Sequence, residues 1–458
     1  MSLILLGILC LAVAQALLAL LQLFVSAWAW IPLYGSRAYG AFMQPNVLAS
    51  FIATGLAVAL ALLILPGFML AQPSKERWRR LGLSLVLALF SALLVWIQSR
   101  TGWLGGIGVT LLFLGYFGRR FPSRCAAAAA AVLVGTLFAW GMLLIGDIGV
   151  VAINHEFSNQ SRWGMLRDTL AMIGERPIKG WGYGGFEYSF QHFRVNQTPP
   201  TAIVETVRHP HNEILLWWGE GGAIALAGMA LLLWGGFVVV RQAWQRDRAA
   251  FSAGQRSAGL PIALCFALLP MAIHTQLEFP FYLSTLHFAV FLLLLAMADR
   301  LGGGVVARRS LVPVTGIVRR GGLPMLALTV AVVAGFSLTG SLAIVQTERF
   351  RLEDISPLQE MPALSRQLHQ ERVTFDRQVN ALLRYNRTGD PRLLDQYSQW
   401  AQGYLMRRVD KNVYASLISI LRHRQQWGAA EKYRRDAVRF FPDDGRFQPL
   451  QDYQKETK

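Results

Sequence analysis

Charged residues and cysteines are scarce in this chain of 458 residues. Only 16% of the residues are charged whereas 53% are hydrophobic, and the mean hydropathy is +0.36. A soluble chain of this length would form several domains with polar surfaces, and a disordered chain would be rich in charge, so both classes are excluded. The three cysteines, Cys10, Cys125 and Cys265, lie inside apolar runs, which excludes a disulfide-stapled scaffold. This composition is typical of a polypeptide largely embedded in a membrane.

Acidic residues are also few, since 27 Asp and Glu stand against 44 Lys and Arg and leave a net charge of +17. Such an excess indicates nucleic-acid binding only when it forms one patch, and here it is spread between apolar runs. A run of about 20 residues can cross the hydrocarbon core of a membrane. We therefore predict an all-α polytopic membrane helix bundle of about nine spans, at residues 3–30, 48–71, 81–97, 103–118, 125–146, 213–240, 259–279, 283–299 and 322–346.

The linkers between these runs alternate in basic charge. Four linkers contain four, three, four and five Lys or Arg, namely 72–80, 118–124, 241–258 and 300–321. The short linkers between them, 31–47, 98–102 and 280–282, contain one, one and none. The positive-inside rule places the first group in the cytoplasm. The first run lacks a signal-peptide cleavage site, so we interpret it as an anchor with a cytoplasmic N-terminus in the inner membrane of a bacterium.

Four segments follow from this topology. Residues 1–146 and 213–346 are predicted to hold the transmembrane helices, 147–212 a periplasmic catalytic loop and 347–458 a periplasmic helical domain. Seven aromatic residues between Trp163 and Phe193 argue against disorder in the loop. The tail contains one tetratricopeptide-like hairpin with a break near Trp427 and a second helix that ends before Pro442, but no repeat at a fixed period. We expect the tail to select the molecule on which the protein acts. The alternative is that the tail is a cap that only stabilises the fold.

Five short stretches with polar residues stand out on the non-cytoplasmic side. They are SRAYGAFMQPNVLA, QSRTGW, SRWGMLRDTLAMIGERPIKGWGYGGFEYSF, RHPHNEILLWWGEGG and, more weakly, HTQLEFPFY. An arginine in the short linkers of this side needs a reason, because those linkers are otherwise poor in Lys and Arg. The candidate site residues are Arg37, Gln44, Asn46, Arg100, Arg162, Arg208, His209, His211, Asn212, Glu213 and Glu278.

These stretches also have structural interpretations. A single arginine at a helix end can simply reach the interface, and Glu278 can pair with a neighbouring helix to stabilise the bundle. The glycine-rich run 180–185 lacks the Lys-Ser/Thr of a phosphate loop, so we interpret it as a turn that lets backbone approach a ligand closely. His209 and His211 are two possible zinc ligands, but no third ligand is visible and no metal is expected.

Together the residue types suit one chemistry. The planar fork of arginine binds phosphate oxygens in pairs and keeps its charge. A histidine near its reference pKa accepts a proton at neutral pH, and aromatic faces in the loop can contact sugar rings. Because the cluster lies at the level of a lipid headgroup, the pattern favours a lipid pyrophosphate-linked saccharide as the substrate.

The stretches RAYGAFMQPNVLA, QSRTGW, SRW…ERPIKGWGYGGF and HPHNEILLWWGEGG resemble the signature stretches of the bacterial Wzy/WaaL membrane glycosyltransferase superfamily. The turn QLEFPFY and the helical tail resemble most the PglL/PilO-type protein O-oligosaccharyltransferases, which glycosylate pilins. The resemblance covers residues 31–300 well and the tail more loosely. Members of the family commonly have several spans before the RAYG…QPN stretch, where this sequence has one.

The resemblance implies transfer of a preassembled oligosaccharide from undecaprenyl pyrophosphate to a Ser or Thr hydroxyl of a periplasmic protein, with pilin as the expected acceptor. It implies no cofactor, no metal and no nucleic acid. By motif match, Arg100 and Arg162 would bind the pyrophosphate with help from Arg37, and His211 would be the activating base. Asn46, Gln44, Arg208, His209, Asn212, Glu213 and Glu278 would support them.

Other functions remain open from the sequence. An O-antigen ligase would use lipid A-core as its acceptor, and an O-antigen polymerase would use another glycan. A transporter of lipid-linked sugar would be expected to show polar, broken helices in mid-membrane, often in paired repeats. The polar groups here instead crowd one interface, which favours an enzyme.

Overall fold

The computed structural model describes residues 2–146, 150, 156–201, 206–302 and 321–449, and every regular element in these residues is helical. The predicted linker 300–321, the loop 147–212 and the tail 347–458 therefore lie partly outside the described residues. Eleven helices precede residue 303: α1 Ser2–Phe24, α2 Pro45–Ile64, α3 Pro73–Ile97, α4 Arg100–Phe117, α5 Pro122–Ile145, α6 Glu156–Glu175, α7 Phe186–Asn196, α8 Glu213–Ser252, α9 Leu260–Thr275, α10 Pro280–Leu283 and α11 Thr285–Gly302. Seven follow residue 320: α12 Leu323–Arg349, α13 Ser356–Gln359, α14 Ala363–Leu368, α15 Gln370–Thr388, α16 Pro391–Leu405, α17 Lys411–His423 and α18 Trp427–Phe440.

The predicted all-α membrane architecture is confirmed, since each of the nine apolar runs is a helix. Seven of the described helices are long and apolar enough to cross a membrane, and α4 and α9 are not among them. Helix α9 has 16 residues, which at about 1.5 Å per residue falls short of a hydrocarbon core of roughly 30 Å.

Two predicted linkers are partly helical. Helix α3 begins at Pro73, so most of the basic linker 72–80 forms its first turns. Proline suits that position because the first helical N–H groups have no intrahelical acceptor. Helix α8 continues to Ser252, well into the predicted linker 241–258. Basic residues at a helix end can extend out of the bilayer without interrupting the helix, and sequence periodicity does not register this.

The chain forms two compact units. The first contains the described residues up to Tyr183 and those from His209 to Gly302; the second contains those of Gly184–Arg208 and of 321–449. The predicted catalytic loop 147–212 is therefore shared, with α6 in the first unit and α7 in the second.

Helix α2 is the centre of the first unit. Every residue from Val47 to Ile64 is buried. An apolar helix that is buried all round must be enclosed by other helices, and α2 packs against α1, α3, α4 and α9. This packing fixes the N-terminus of α2, and with it the side chains that precede and open the helix.

The glycine-rich run packs against a break in α8 instead of presenting its backbone freely. Gly222 has φ 62° and ψ −154° within α8, and Trp181 N–H donates to the carbonyl of Gly219 at 2.9 Å. A Cβ on Gly222 would lie 2.1 Å from the carbonyl oxygen of Ile178, and one on Gly180 would lie 2.3 Å from that of Glu220. These glycines therefore serve backbone-to-backbone packing, which differs from the predicted ligand approach at this part of the run.

The second unit is a set of short amphipathic helices with an apolar centre. Helices α17 and α18 form the predicted hairpin, joined by residues 424–426, and α18 ends before Pro442. Val195 of α7 is buried with Leu417 and Phe440 in the same apolar cluster. The second unit thus contains a piece of the loop as well as the tail.

Candidate functional site

The carboxylate of Glu278 is the centre of the polar cluster in the first unit. Its Oε1 accepts hydrogen bonds from Arg162 Nη2 at 2.6 Å and Asn46 Nδ2 at 2.5 Å. Its Oε2 accepts from Gln44 Nε2 at 3.1 Å and lies 3.2 Å from His274 Nε2. Four donors on two oxygens stabilise the ionised carboxylate, so Glu278 is a poor proton acceptor and a good anchor for Arg162.

Asn46 connects Glu278 to two further helix ends. Its Oδ1 accepts from Arg37 Nη2 at 3.0 Å and from Ser99 Oγ at 2.7 Å, while its Nδ2 donates to Glu278. Gln44 caps α2, because its Oε1 accepts from Asn46 N–H at 2.6 Å. The N-termini of α2 and α4 therefore meet at the cluster, and helix N-termini favour anions.

Arg37 uses most of its guanidinium for structure. Its Nε donates to the carbonyl of Ile97 at 3.0 Å, and its Nη2 donates to the carbonyl of Gln98 at 3.2 Å as well as to Asn46. Burial lowers the pKa of Arg37, and the nearby positive charges of Arg162 and Arg100 act in the same direction, opposed by Glu278. Arg37 therefore ties the preceding loop to the end of α3.

Arg100 and Arg162 make fewer hydrogen bonds to the described residues than Arg37 does. Arg100 opens α4 and its Nη1 donates to Asn159 of α6, while Arg162 is bonded through Nη2 to Glu278 and its side chain is 31% exposed. Arg162 contacts Glu278 directly, whereas Arg37 reaches it through Asn46 and Arg100 lies near Arg37. The cluster therefore contains more positive than negative charge. Such a group of arginines is suited to a multiply charged anion such as a pyrophosphate.

His211 has an uncommon backbone conformation next to this cluster. Its φ is 57°, a left-handed value, and its N–H donates to His209 Nδ1 at 2.9 Å. The Nδ1 of His211 is buried and has no hydrogen-bond partner among the described residues. In the neutral imidazole with its proton on Nε2, the lone pair of Nδ1 can accept another proton.

The surroundings keep His211 neutral. Burial lowers the pKa of His211 below its ordinary value of 6.5; Glu278 acts to raise it, while Arg162 and His209 lower it further. A neutral imidazole is the form that accepts a proton, so the environment favours a base.

His209 and Glu213 support the conformation of the loop around His211. Glu213 lies 3.3 Å from His209 Nε2 and accepts from Trp217 Nε1 at 3.0 Å and Tyr282 Oη at 2.9 Å. Glu213 thus orients His209, and through it the backbone of His211. Glu213 therefore acts on His211 by an indirect route.

Asn212 joins two of the predicted stretches. Its Oδ1 caps α8 by accepting from Leu215 N–H at 2.9 Å, and its Nδ2 donates to the carbonyl of Gln276 at 3.2 Å. The loop with His211 is therefore held to the turn with Glu278. The contacts bring ten of the eleven predicted residues into one region of the first unit.

Arg208 is the exception, because it belongs to the second unit. Its side chain is 79% exposed and its Nε lies 3.6 Å from Glu187. It lines a cavity of about 300 Å³ with Glu187, Glu371, Arg372, Phe375, Tyr404, Arg408 and Asp410.

Three polar residues of the first unit were not among the candidate site residues, although Ser99 lies in the stretch QSRTGW and His274 in HTQLEFPFY. Ser99 caps α4 by accepting from Gly102 N–H at 3.2 Å and donates to Asn46. His274 and His287 are fully buried. The available signal was their position, because an ionisable residue within an apolar run has a functional or pairing role more often than not. In the described part of the chain, no three His, Cys, Asp or Glu side chains form a group that would hold a metal ion.

Comparison with known families agrees with the order of the motifs. Residues 38–63, which hold Gln44 and Asn46, match the protein glycosylation ligase family, and residues 85–230 match the O-antigen ligase family. Residues 262–453 match the C-terminal part of the virulence factor membrane-bound polymerase family. The second match includes Arg100, Arg162 and His211.

A curated relative is the general O-oligosaccharyltransferase of Acinetobacter baylyi (strain ATCC 33305 / BD413 / ADP1). It is 24% identical over 283 residues, which are 57% of this chain and 43% of the relative. The chain thus matches less than half the length of that relative. The resemblance predicted from the motifs is confirmed: the chain is similar to members of the Wzy/WaaL superfamily of membrane glycosyltransferases and to a protein O-oligosaccharyltransferase.

Proposed function

We propose that this protein transfers an oligosaccharide from undecaprenyl pyrophosphate to a hydroxyl of a periplasmic protein. The observation that carries the proposal is the polar cluster in which Arg162 binds Glu278 with Arg37 and Arg100 close by, beside His211, whose Nδ1 has no hydrogen-bond partner among the described residues. The arginines supply positive charge where a pyrophosphate would leave, and the histidine supplies a base where a hydroxyl would attack.

The proposed reaction is a single inverting displacement. The acceptor oxygen forms a bond to the anomeric carbon while the bond from that carbon to the pyrophosphate oxygen breaks. His211 Nδ1 takes the hydroxyl proton and becomes an imidazolium, and undecaprenyl pyrophosphate leaves with its charge held by Arg100 and Arg162. The imidazolium then releases the proton to water. No metal and no covalent sugar–enzyme intermediate is required.

Protein is the acceptor that the match to the protein glycosylation ligase family and the name of the Acinetobacter relative favour. The test is the intact mass of pilin and of other periplasmic proteins from cells with and without the gene. A glycan-sized mass loss from protein, with unchanged lipopolysaccharide, is expected. Loss of glycan from lipopolysaccharide alone would identify an O-antigen ligase, which the match over residues 85–230 keeps as the second candidate.

The proposal includes the orientation predicted from the basic linkers, with the site and the tail in the periplasm and the N-terminus in the cytoplasm. Arg37, Arg100 and Arg162 then lie on the side where the lipid-linked glycan projects. Labelling of single cysteines introduced at Lys75 and at Lys411 with a membrane-impermeant thiol reagent tests this in cells. Only the second should react from the periplasm.

The pH dependence of turnover reports the state of His211. Because burial lowers the pKa of His211 below 6.5, the neutral base should persist at pH values where an ordinary histidine is already half protonated. We expect kcat/KM to stay at its plateau through pH 6.5 and to fall only below it. A decline centred above pH 6.5 would contradict the assignment.

We further propose that the second unit positions the acceptor. Arg208 is exposed and lines the cavity of the second unit. An exposed charge contributes about 0.2–1 kcal/mol to an interaction, so Arg208→Ala should raise the KM for the acceptor protein about two- to five-fold. The KM for the lipid-linked donor should not change. A rise in the donor KM instead would return Arg208 to the pyrophosphate site, where the sequence placed it.

A further inference from the structure

A row of buried polar side chains leads from Glu278 into the helix bundle. His274, Ser50 and His287 are each fully buried, and all three lie on or directly after apolar stretches of α2, α9 and α11. His274 Nε2 is 3.2 Å from Glu278 Oε2, His274 Nδ1 is 2.8 Å from Ser50 Oγ, and Ser50 Oγ is 3.2 Å from His287 Nε2. We name His287, Ser50, His274 and Glu278 the buried relay. Polar groups at this depth are costly unless they are paired, so their retention requires a reason.

The partners determine where the protons are. The carbonyl of Val47 can only accept, and His287 Nε2 lies 2.9 Å from it, so His287 has its proton on Nε2. His287 Nδ1 then accepts from Ser284 Oγ at 2.9 Å. The same Nε2–H is within reach of Ser50 Oγ. The hydroxyl of Ser50 lies 3.1 Å from the carbonyl of Val47 and 2.8 Å from His274 Nδ1, and the shorter contact favours donation to His274. His274 is left with a proton on Nε2, which faces Glu278.

The donors of Ser50 and His274 therefore point toward the carboxylate. Successive hydrogen bonds of one direction polarise one another, and the relay ends on the one ionised group. It cannot conduct a proton out of the site, because His287 ends on a backbone carbonyl and on Ser284. The geometry is that of a fixed support.

We propose that the buried relay makes His274 a positioning residue for Arg162, acting through Glu278. The proposal rests on the proposed function, because it assigns Arg162 to the pyrophosphate. The relay fills Oε2 of Glu278 and fixes the rotation of the carboxylate, so that Oε1 faces Arg162 Nη2 at 2.6 Å. Without the relay Oε2 keeps only the hydrogen bond from Gln44 Nε2, so the carboxylate is held less firmly and Arg162 is oriented less precisely toward the phosphate oxygens.

A double-mutant cycle in the full-length protein tests this. The readouts are the affinity for undecaprenyl pyrophosphate in detergent and the turnover of lipid-linked donor. Removing one partner of a buried hydrogen bond leaves the other unsatisfied, so His274→Leu should weaken binding about ten-fold. The same change made in a Glu278→Gln background should have less than a two-fold effect, since its route to Arg162 is already lost. Equal losses in both backgrounds would overturn the proposal.

Two further variants, His274→Gln and Ser50→Ala, test whether the hydrogen bonds of the relay support Glu278, as opposed to the packing or the charge of His274. His274→Gln keeps a neutral N–H donor near the position of Nε2 and should retain binding within about three-fold of wild type. A loss as large as in His274→Leu would overturn the proposal. Ser50→Ala should weaken binding about three-fold, while Ser91→Ala should not, because that buried serine donates only to the carbonyls of Leu87 and Ala88.

The acceptor side is the internal control. The KM for acceptor protein should stay constant in all relay variants, because the relay acts on Arg162, and a change in that KM without a change in donor binding would overturn the proposal. The wild-type protein separates the two claims. If the wild-type protein binds undecaprenyl pyrophosphate but transfers no glycan, the proposed function is wrong. The double-mutant cycle, measured as binding affinity, still tests the role of the relay.

Discussion

Replacing His211 with asparagine should lower kcat by about 10²–10⁴-fold, the contribution that a positioned general base makes. Asparagine is the suitable substitution because His211 has a φ of 57°, and asparagine adopts left-handed backbone more readily than alanine. The measurement is single-turnover transfer at saturating donor in proteoliposomes. Donor affinity should remain, since the arginines are unchanged.

The neighbouring histidine provides the matched comparison. His209→Ala removes the Nδ1 that accepts from His211 N–H, so it should loosen the loop without removing the base, and its effect should be milder. Near-normal turnover in His211→Asn would refute the base assignment. So would activity that a chelator abolishes and zinc restores, because a metal would then do the work given to the imidazole.

Arg162→Lys and Arg100→Lys should each reduce transfer by about 10²-fold, the scale of losing one donor aimed at developing charge. Lysine keeps the positive charge but lacks the planar fork, so a large loss indicates paired contacts to phosphate oxygens. For Arg162 the loss should be greater, because lysine must also replace the bond from Nη2 to Glu278. Both variants are measured for donor affinity and for turnover.

Arg119→Lys is the control for these substitutions, because Arg119 is exposed just beyond the opposite end of α4. It should behave like wild type. Full activity in the Arg162 and Arg100 variants would reduce both residues to interfacial anchors, which is the structural alternative for a helix-end arginine.

The position of the site was accessible from the sequence for a specific physical reason. Basic residues are rare in the short linkers of one membrane side, so Arg37 and Arg100 stood out there, and the contacts confirm that their stretches meet at Asn46 and Glu278. Hydropathy located the nine helices because each is apolar along most of its length, whether its side chains face other helices or lipid.

The division of labour among the arginines could not be predicted in this way. The sequence does not distinguish Arg37 from Arg162. In the structure Arg37 donates to the carbonyls of Ile97 and Gln98, while Arg162 donates to the carboxylate of Glu278. Those carbonyls are available only because α3 ends next to the loop, which is a tertiary property. His274 and His287 were given no role for a related reason: within apolar runs, a histidine cannot be assigned to a partner before the helices are packed.

The break in α8 belongs to the same class. Gly222 stands among other glycines in the sequence, and only the approach of Ile178 and Gly180 shows that it must remain a glycine. Sequence periodicity describes one helix at a time. It does not describe a loop that packs onto a helix through its own backbone.

Because we propose that the second unit positions the acceptor, its discontinuity limits how acceptor preference can be exchanged between relatives. Its apolar centre combines Val195 of α7 with Leu417 and Phe440 of the tail, and Arg408 of the tail lies 2.6 Å from Glu187 of α7. In a chimera that receives only the tail of a relative, the foreign side chains would pack against α7 of this protein, with which they do not normally occur. The two segments must therefore be exchanged together. A graft that is designed to change acceptor specificity must carry residues 184–208 as well as the tail.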